Sequence, residues 1–336
     1  MSGGSCSFPC TEEDNTLSAC FPIPRNRKFE VVVVGGANWD YTVHGGHLPA
    51  PGETAMGESF HEGPGGKGCN QAVAAARLGA RTAFVGRLGA DERGDWIFGR
   101  LVQERVTVTR VKRDPKASTG IALIMVADGG EKQILAAPGA NRRMTRQDVR
   151  DGEDVISDAK VLLVQLEVPL DVVAAALTLA RGAGVCTVLD PAPAVPLPDK
   201  LLALVDVIKP NAVEAEALTG IAVDGRKAAL AAAKWLLARG PKAVAIQAGH
   251  EGDLLVTAQE TIWLPRLPVT SVDATGAGDA FAAGLAVMLA EEKPLDLAGR
   301  FASAAAALET TGIGAQAPLP TRELVSRVVD ERGEAP

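Results

Sequence analysis

The sequence predicts an α/β fold in which a mainly parallel sheet carries helices on both faces. Two observations point there: short, wholly apolar runs alternate with alanine- and leucine-rich stretches, and glycine clusters stand where runs pass into such stretches. A chain of 336 residues is long enough for one large α/β domain or two smaller ones. The first strand is Phe29–Val34, an apolar run that ends in Gly-Gly. Further strands are expected at 82–86, 161–165, Cys186–Leu189, 207–209 and Ala243–Gln247, and a helix at 71–78. Sites in such sheets lie beyond the carboxyl ends of the strands. Asn38, Glu167, Asp190, Asn211 and Gly249 all follow predicted strands closely and so fall along one edge.

Two segments break the alternation. Residues 39–62 and about 111–136 read as β-hairpin material flanked by Gly and Pro turns. Residues 1–28, rich in Ser, Gly, Pro and Cys, fit neither a secretory signal nor a transit peptide and read as a disordered extension. The domain is therefore expected over 29–330, with 331–336 as a tail. Cys6, Cys10 and Cys20 lack a nearby fourth ligand and make a poor zinc set, while Cys69 and Cys186 read as reduced packing residues. Five cysteines in so long a chain suggest a reducing, cytoplasmic setting. A net charge of −7 argues against a nucleic-acid surface, and no apolar run is long enough to span a membrane.

The chemistry is concentrated in the stretch from Asp273 to Asp279, Asp-Ala-Thr-Gly-Ala-Gly-Asp, which opens an apolar helix. Glycines there permit a tight bend and leave N–H groups free to hold an anion. Asp279 stands beside them, where a carboxylate can take a proton from an attacking hydroxyl. An ordinary helix start, with Asp stabilised by the helix dipole, gives the same local pattern. A second glycine cluster, Gly63 to Asn70, presents Lys67 and Asn70 in a loop with little bulk; a solvated loop lysine is the plainer reading of Lys67. It is not a Walker A loop, because His61 takes the place of the first glycine and Gly68 follows the lysine. The Gly276 loop is not a dinucleotide fingerprint either, since Phe281 stands where a third glycine is needed.

With these motifs the chain resembles the ribokinase-like family of carbohydrate kinases. The likeness runs from about residue 30 to 330, through the segments beginning at Gly35, Pro51, Gly65, Ser118, Pro138, Pro210 and Asp273 in family order. The Gly-Lys-Gly segment with Asn70 and Gln71, and the Pro-Gly-Ala-Asn segment ending at Asn141, lean toward the ribose kinases of the family. The resemblance implies a three-layer sandwich with a small β-sheet lid built from the two irregular segments, and a homodimer through the lid sheets. It implies ATP-dependent phosphorylation of the 5-hydroxyl of D-ribose, with Asp279 as general base and Gly276, Ala277 and Gly278 as anion hole. Asn38, Asp40, Gly66, Lys67, Asn70 and Glu167 would hold the sugar, though Asp40 also reads as a turn or cap residue. Asn211, Glu214, Gln247, Gly249, Gly252 and Ser303, with Gly278, would hold ATP, and Mg²⁺ would act near Glu214. Asn211 with Glu214 is equally a capping-box pattern.

The resemblance also implies a potassium ion at Asp273, Thr275, Glu309, Gly312 and Gly314. Trp39, Gln247, Glu309 and Gly312 depart from the usual residues at their positions. The four histidines form no metal or hydrolase motif. Kinases for fructose, deoxyribose or pseudouridine, and a catalytically weak binding protein on the same fold, are the other readings.

Overall fold

The computed structural model describes residues 23–333; Cys6, Cys10, Cys20 and most of the expected N-terminal extension lie outside the described residues. In chain order the strands are β1 (Phe29–Val34), β2 (Asn38–Gly45), β3 (Ser59–Gly65), β4 (Thr82–Gly89), β5 (Thr107–Asp114), β6 (Gly120–Ala127) and β7 (Lys132–Ala137). They continue with β8 (Ala159–Val164), β9 (Cys186–Leu189), β10 (Val207–Ile208), β11 (Ala243–Gln247), β12 (Asp253–Thr257) and β13 (Thr261–Leu264). The helices are α1 (Lys67–Arg77), α2 (Glu92–Gln103), α3 (Arg146–Asp151), α4 (Glu153–Ile156), α5 (Leu170–Gly182) and α6 (Asp199–Leu202). After them come α7 (Ala212–Thr219), α8 (Arg226–Leu237), α9 (Ala277–Ala290), α10 (Leu295–Glu309) and α11 (Arg322–Gly333).

Among the described residues nine strands form one sheet, in the order β13-β12-β11-β10-β9-β8-β1-β4-β5. It is parallel from β11 to β5, and β12 and β13 add antiparallel strands at the far edge. Along β1 successive side chains enter opposite layers: Val31 and Val33 pack in one core, Val32 and Val34 in the other. A strand buried on both faces needs such a continuous apolar run, and each fully buried Val contributes about 1.5–3 kcal/mol. The first layer includes α1, α9 and α10, and the second α5 and α8. Helix α9 is buried from Asp279 to Ala290, which explains why its sequence is apolar all round.

A second sheet, in the order β3-β2-β6-β7, forms the lid, with β2 parallel to β6 and the other pairs antiparallel. Only three residues separate β1 from β2, so the chain passes straight from core to lid. The second lid segment begins later than the sequence suggests. Residues 111–114 belong to β5, which pairs with β4 in the large sheet, and the lid resumes at Gly120. The N-terminal boundary also moves: Ile23 is buried in the core, and Arg27 donates hydrogen bonds to the carbonyls of Ser157 and Ala183. At the other end, residues 331–333 continue α11.

Candidate active site

Strands β4 and β5 lie to one side of β1 and β8 to β13 to the other, so the strand order reverses between β1 and β8. In open α/β sheets the crevice beyond such a switch point receives ligands. Here the N-termini of α1 and α9 converge on it.

Both helix starts depend on glycine. Gly66 precedes α1 with φ 83°, and a Cβ there would lie 2.5 Å from the Asn38 nitrogen. Gly276 precedes α9 with φ 91°, and a Cβ there would lie 2.7 Å from Glu309 Oε1. A side chain is therefore excluded at each by conformation and by space. The first turn of α9 supplies N–H groups without helical partners at Ala277, Gly278 and Asp279.

Asp279 is buried, and both of its oxygens are held by amides of α1: Asn70 Nδ2 donates to Oδ2 at 2.9 Å, and Gln71 Nε2 to Oδ1 at 3.0 Å. Gln71 Nε2 also donates to Asp190 Oδ2 at 2.8 Å, and Gln165 Nε2 donates to Gln71 Oε1 at 2.6 Å. Lys209, only 2% exposed, pairs with Asp190 Oδ1 at 3.3 Å and donates to the Gly278 carbonyl at 3.2 Å. Burial raises the Asp279 pKa, Asp190 adds to this, and Lys67 and Lys209 oppose it.

The residues expected around the sugar are brought together beside it. The Lys67 N–H donates to Glu167 Oε2 at 2.8 Å. Asn141 Nδ2 donates to Asn38 Oδ1 at 2.8 Å and to the Ala37 carbonyl, while its Oδ1 accepts from the Ala37 N–H. Burial, with Glu167 and Asp279 nearby, pushes Asp40 up to about 7. Burial also pushes Glu167 up to about 7, against Lys67 and with Asp279. Burial works against the Lys67 charge, yet Asp279, Asp190, Glu167 and Glu214 together hold its pKa above the ordinary value. Trp39 donates to Glu62 at 3.0 Å and, with Asp40 and Gln316, lines a cavity of about 720 Å³.

The expected nucleotide residues fall on the other side of Gly278. Asn211 and Glu214 make a full capping box at the start of α7, each side chain accepting from the other's N–H at 2.8 Å. Asn211 bridges in parallel to Gln247, whose Oε1 lies 3.6 Å from the Cβ position of Gly278. Gly249 and Gly252 bracket the turn that follows β11, and Ser303 donates to Asp253 Oδ2. Among the described residues no group of three or more His, Cys, Asp or Glu side chains is placed to hold a metal.

Behind the anion loop, Asp273 Oδ1 accepts from the Thr275 N–H at 2.9 Å and the Thr275 hydroxyl at 2.6 Å, and Oδ2 from the Gly314 N–H at 3.0 Å. A fourth donor comes from the lid: Lys132 Nζ lies 2.7 Å from Asp273 Oδ1 and 2.5 Å from Thr275 Oγ1. Although burial opposes it, this set holds Asp273 at about 2. Every oxygen of the carboxylate thus has a donor, and an ammonium group fills the position that a monovalent cation would take. Asp273 thus already has a charge partner within the protein. Glu309 is buried against Gly276, neither of its carboxylate oxygens has a hydrogen-bond partner, and burial pushes it up to about 9. Gly312 packs against Pro318.

Sequence reasoning assigned no role to Gln71, Gln165, Lys209, Lys132 or Asn141. Three carried a legible signal: Gln71 and Gln165 are amides in apolar surroundings, and Lys209 ends a buried apolar run. Lys132, in a Gly-Gly-Glu-Lys turn, carried none.

A buried carboxylate beneath a glycine-hinged helix start, at the switch point of a parallel sheet with a small lid sheet, defines a small-molecule kinase of the α/β class. The chain belongs to the pfkB family of carbohydrate kinases, whose description matches residues 28–322. It is 40% identical over 293 residues to the ribokinase of Haemophilus influenzae, covering 87% of this chain and 96% of that one. Its fold resembles a solved Arabidopsis thaliana ribokinase complexed with ribose and ATP, with TM-score 0.81, 33% identity and coverage of 90% and 98%. A Giardia lamblia ribokinase structure gives TM-score 0.83 at 28% identity, over 90% of this chain and 99% of that one.

Proposed function

We propose that this chain transfers the γ-phosphoryl group of ATP to the 5-hydroxyl of D-ribose, giving ribose 5-phosphate and ADP. The observation that carries the reading is Asp279: a buried carboxylate, fixed by Asn70 and Gln71, at the first turn of α9, whose Gly278 and Asp279 N–H groups lack helical partners, and next to the Asn38, Asp40 and Glu167 cluster. Similarity to ribokinases supports the choice of sugar.

In the proposed step Asp279 accepts the proton of the 5-hydroxyl as that oxygen attacks the γ-phosphorus, and the bond to the β-phosphate oxygen breaks. Such a transition state needs alignment and charge neutralisation more than covalent help. The N–H groups of Gly276, Ala277 and Gly278 would receive the charge on the transferring group, that of Thr275 being taken up by Asp273, and each such donor is worth about 2.7–4 kcal/mol in comparable sites. Asn38, Asp40, Gly66, Lys67, Asn70 and Glu167 would seat the sugar hydroxyls, and Asn211, Gln247, Gly249, Gly252 and Ser303 the nucleotide.

Magnesium, held near Glu214, would supply positive charge against the phosphates of ATP. The protein side fits an ion that keeps its waters, since Glu214 offers one oxygen beyond its cap bond and, among the described residues, no cage of His, Cys, Asp or Glu surrounds it. The potassium ion implied by the resemblance is not carried into the mechanism, because Lys132 fills its place at Asp273. The lid bears exposed Phe60, Leu123, Ile134 and Leu135, which supports a homodimer through this sheet. We place the enzyme in the cytoplasm, in keeping with free, buried Cys69 and Cys186.

An ADP-release assay with ATP and Mg²⁺ over D-ribose, 2-deoxyribose, fructose, adenosine, pseudouridine and no sugar tests the reading. Preference for ribose is the expected result. Turnover on another member replaces the sugar, and silence on all of them overturns the proposal.

A further inference from the structure

Lys132 opens β7 on the lid, yet its ammonium group lies against Asp273 and Thr275, one residue before the glycine hinge of α9. A carboxylate as buried as Asp273 needs a compensating positive charge. Three neutral donors and one ammonium group surround it, so the lysine is its charge partner. The same contacts tie together Thr275 and Gly314, the two segments whose positions set the course of the anion loop.

We propose that the Lys132 ammonium is a built-in monovalent cation, which holds the 273–276 loop in its anion-binding form and makes phosphoryl transfer independent of a free ion. The inference rests on the kinase reading above for the role of the loop. Because the charge is covalently attached, it is present at an effective concentration that does not vary with the salt outside. Because it arrives from the lid, the loop is neutralised only while the lid stands over the site. Lys132 acts through Asp273 and Thr275 and is a positioning residue.

The test uses the full chain dialysed into tetramethylammonium chloride, with and without potassium chloride at matched ionic strength. Melting temperature and ADP release are both read. The parent is expected to change by less than about threefold in turnover between the two salts and to keep its melting temperature. Lys132→Met is expected to lose about tenfold or more in tetramethylammonium, to recover most of it in potassium, and to melt higher with potassium than without. Lys132→Arg, which keeps the charge, should behave as the parent.

A parent stimulated more than about threefold by potassium overturns the proposal. So does a Lys132→Met protein that equals the parent in tetramethylammonium. If Lys132→Met fails to fold, the parent and Lys132→Arg still decide. If no sugar in the panel is phosphorylated, the kinase reading fails by itself, and the salt dependence of melting continues to report on Lys132.

Discussion

Asn70 on α1 donates to Asp279 on α9 at 2.9 Å across 209 positions of sequence, and through this bond the two glycine-hinged helix starts share one carboxylate. Gln71 holds the other oxygen and passes the contact on to Asp190 and Gln165. The proposed base is therefore fixed in direction before any substrate arrives. Asp279→Asn keeps the shape and removes the proton acceptor. Turnover should fall by roughly 10²–10⁴-fold with little change in melting temperature. Turnover within threefold of the parent would sink the assignment.

The sugar cluster predicts a pH dependence. Asp40 and Glu167 both have pKa values raised to about 7, so as pH falls through that value they gain protons and cease to act as carboxylate acceptors for hydroxyls. Their interaction means that the observed values belong to the pair. The quotient kcat/KM for the sugar, which reports the free enzyme, should decline below about pH 7. A profile that stays flat down to pH 5 would contradict this.

Lys209 and Asp190 form a pair with almost no exposure. Removing one member of such a pair leaves the other charge buried and alone. Lys209→Met should destabilise the fold by about 3–5 kcal/mol in urea unfolding, and a loss below 1 kcal/mol would show that Asp190 is otherwise compensated.

Glu309 offers a test with the opposite sign. Its carboxyl ionises near 4.5 when unfolded and near 9 in the fold, chiefly through burial, with Asp279 adding to the shift and Arg77 opposing it. Between those values the unfolded chain binds fewer protons than the folded one, so this group makes stability fall as pH rises. Glu309→Gln cannot titrate. The melting temperature of the variant relative to the parent should therefore climb steadily from pH 5 to pH 9, and a constant difference would refute the shift.

Much of the architecture was legible because buried parallel strands leave unbroken apolar runs. Cys186–Leu189 and Ala243–Gln247 appear with the bounds their runs suggest. The edge strands β12 and β13 escaped notice because they pair antiparallel and are short, with exposed residues between them. The end of β5, residues 111–114, reads as lid material because Thr107–Asp114 is mostly polar, with only Val108 and Val111 apolar, and so lacks the unbroken apolar run of the other strands of the large sheet. The glycine hinges at Gly66 and Gly276 could be read because chemistry limits what else can stand there. The amide relay through Gln71 and Gln165, the Lys209–Asp190 pair and the reach of Lys132 depend on which strand lies beside which, and spacing along one chain does not encode that.

Asn141 grips Ala37 by both its N–H and its carbonyl and also holds Asn38. Ala37 lies on the outward path from β1 to the small sheet, and Asn141 on the path back from β7. Two of the four chain crossings between the sheets, the first and the last, are thus fastened by a single clasp. Any swing of the small sheet must turn as one piece about it, carrying Asn38, Asp40 and Lys132 along. On the proposed reading, sugar capture and delivery of the lysine's charge would then be one mechanical stroke.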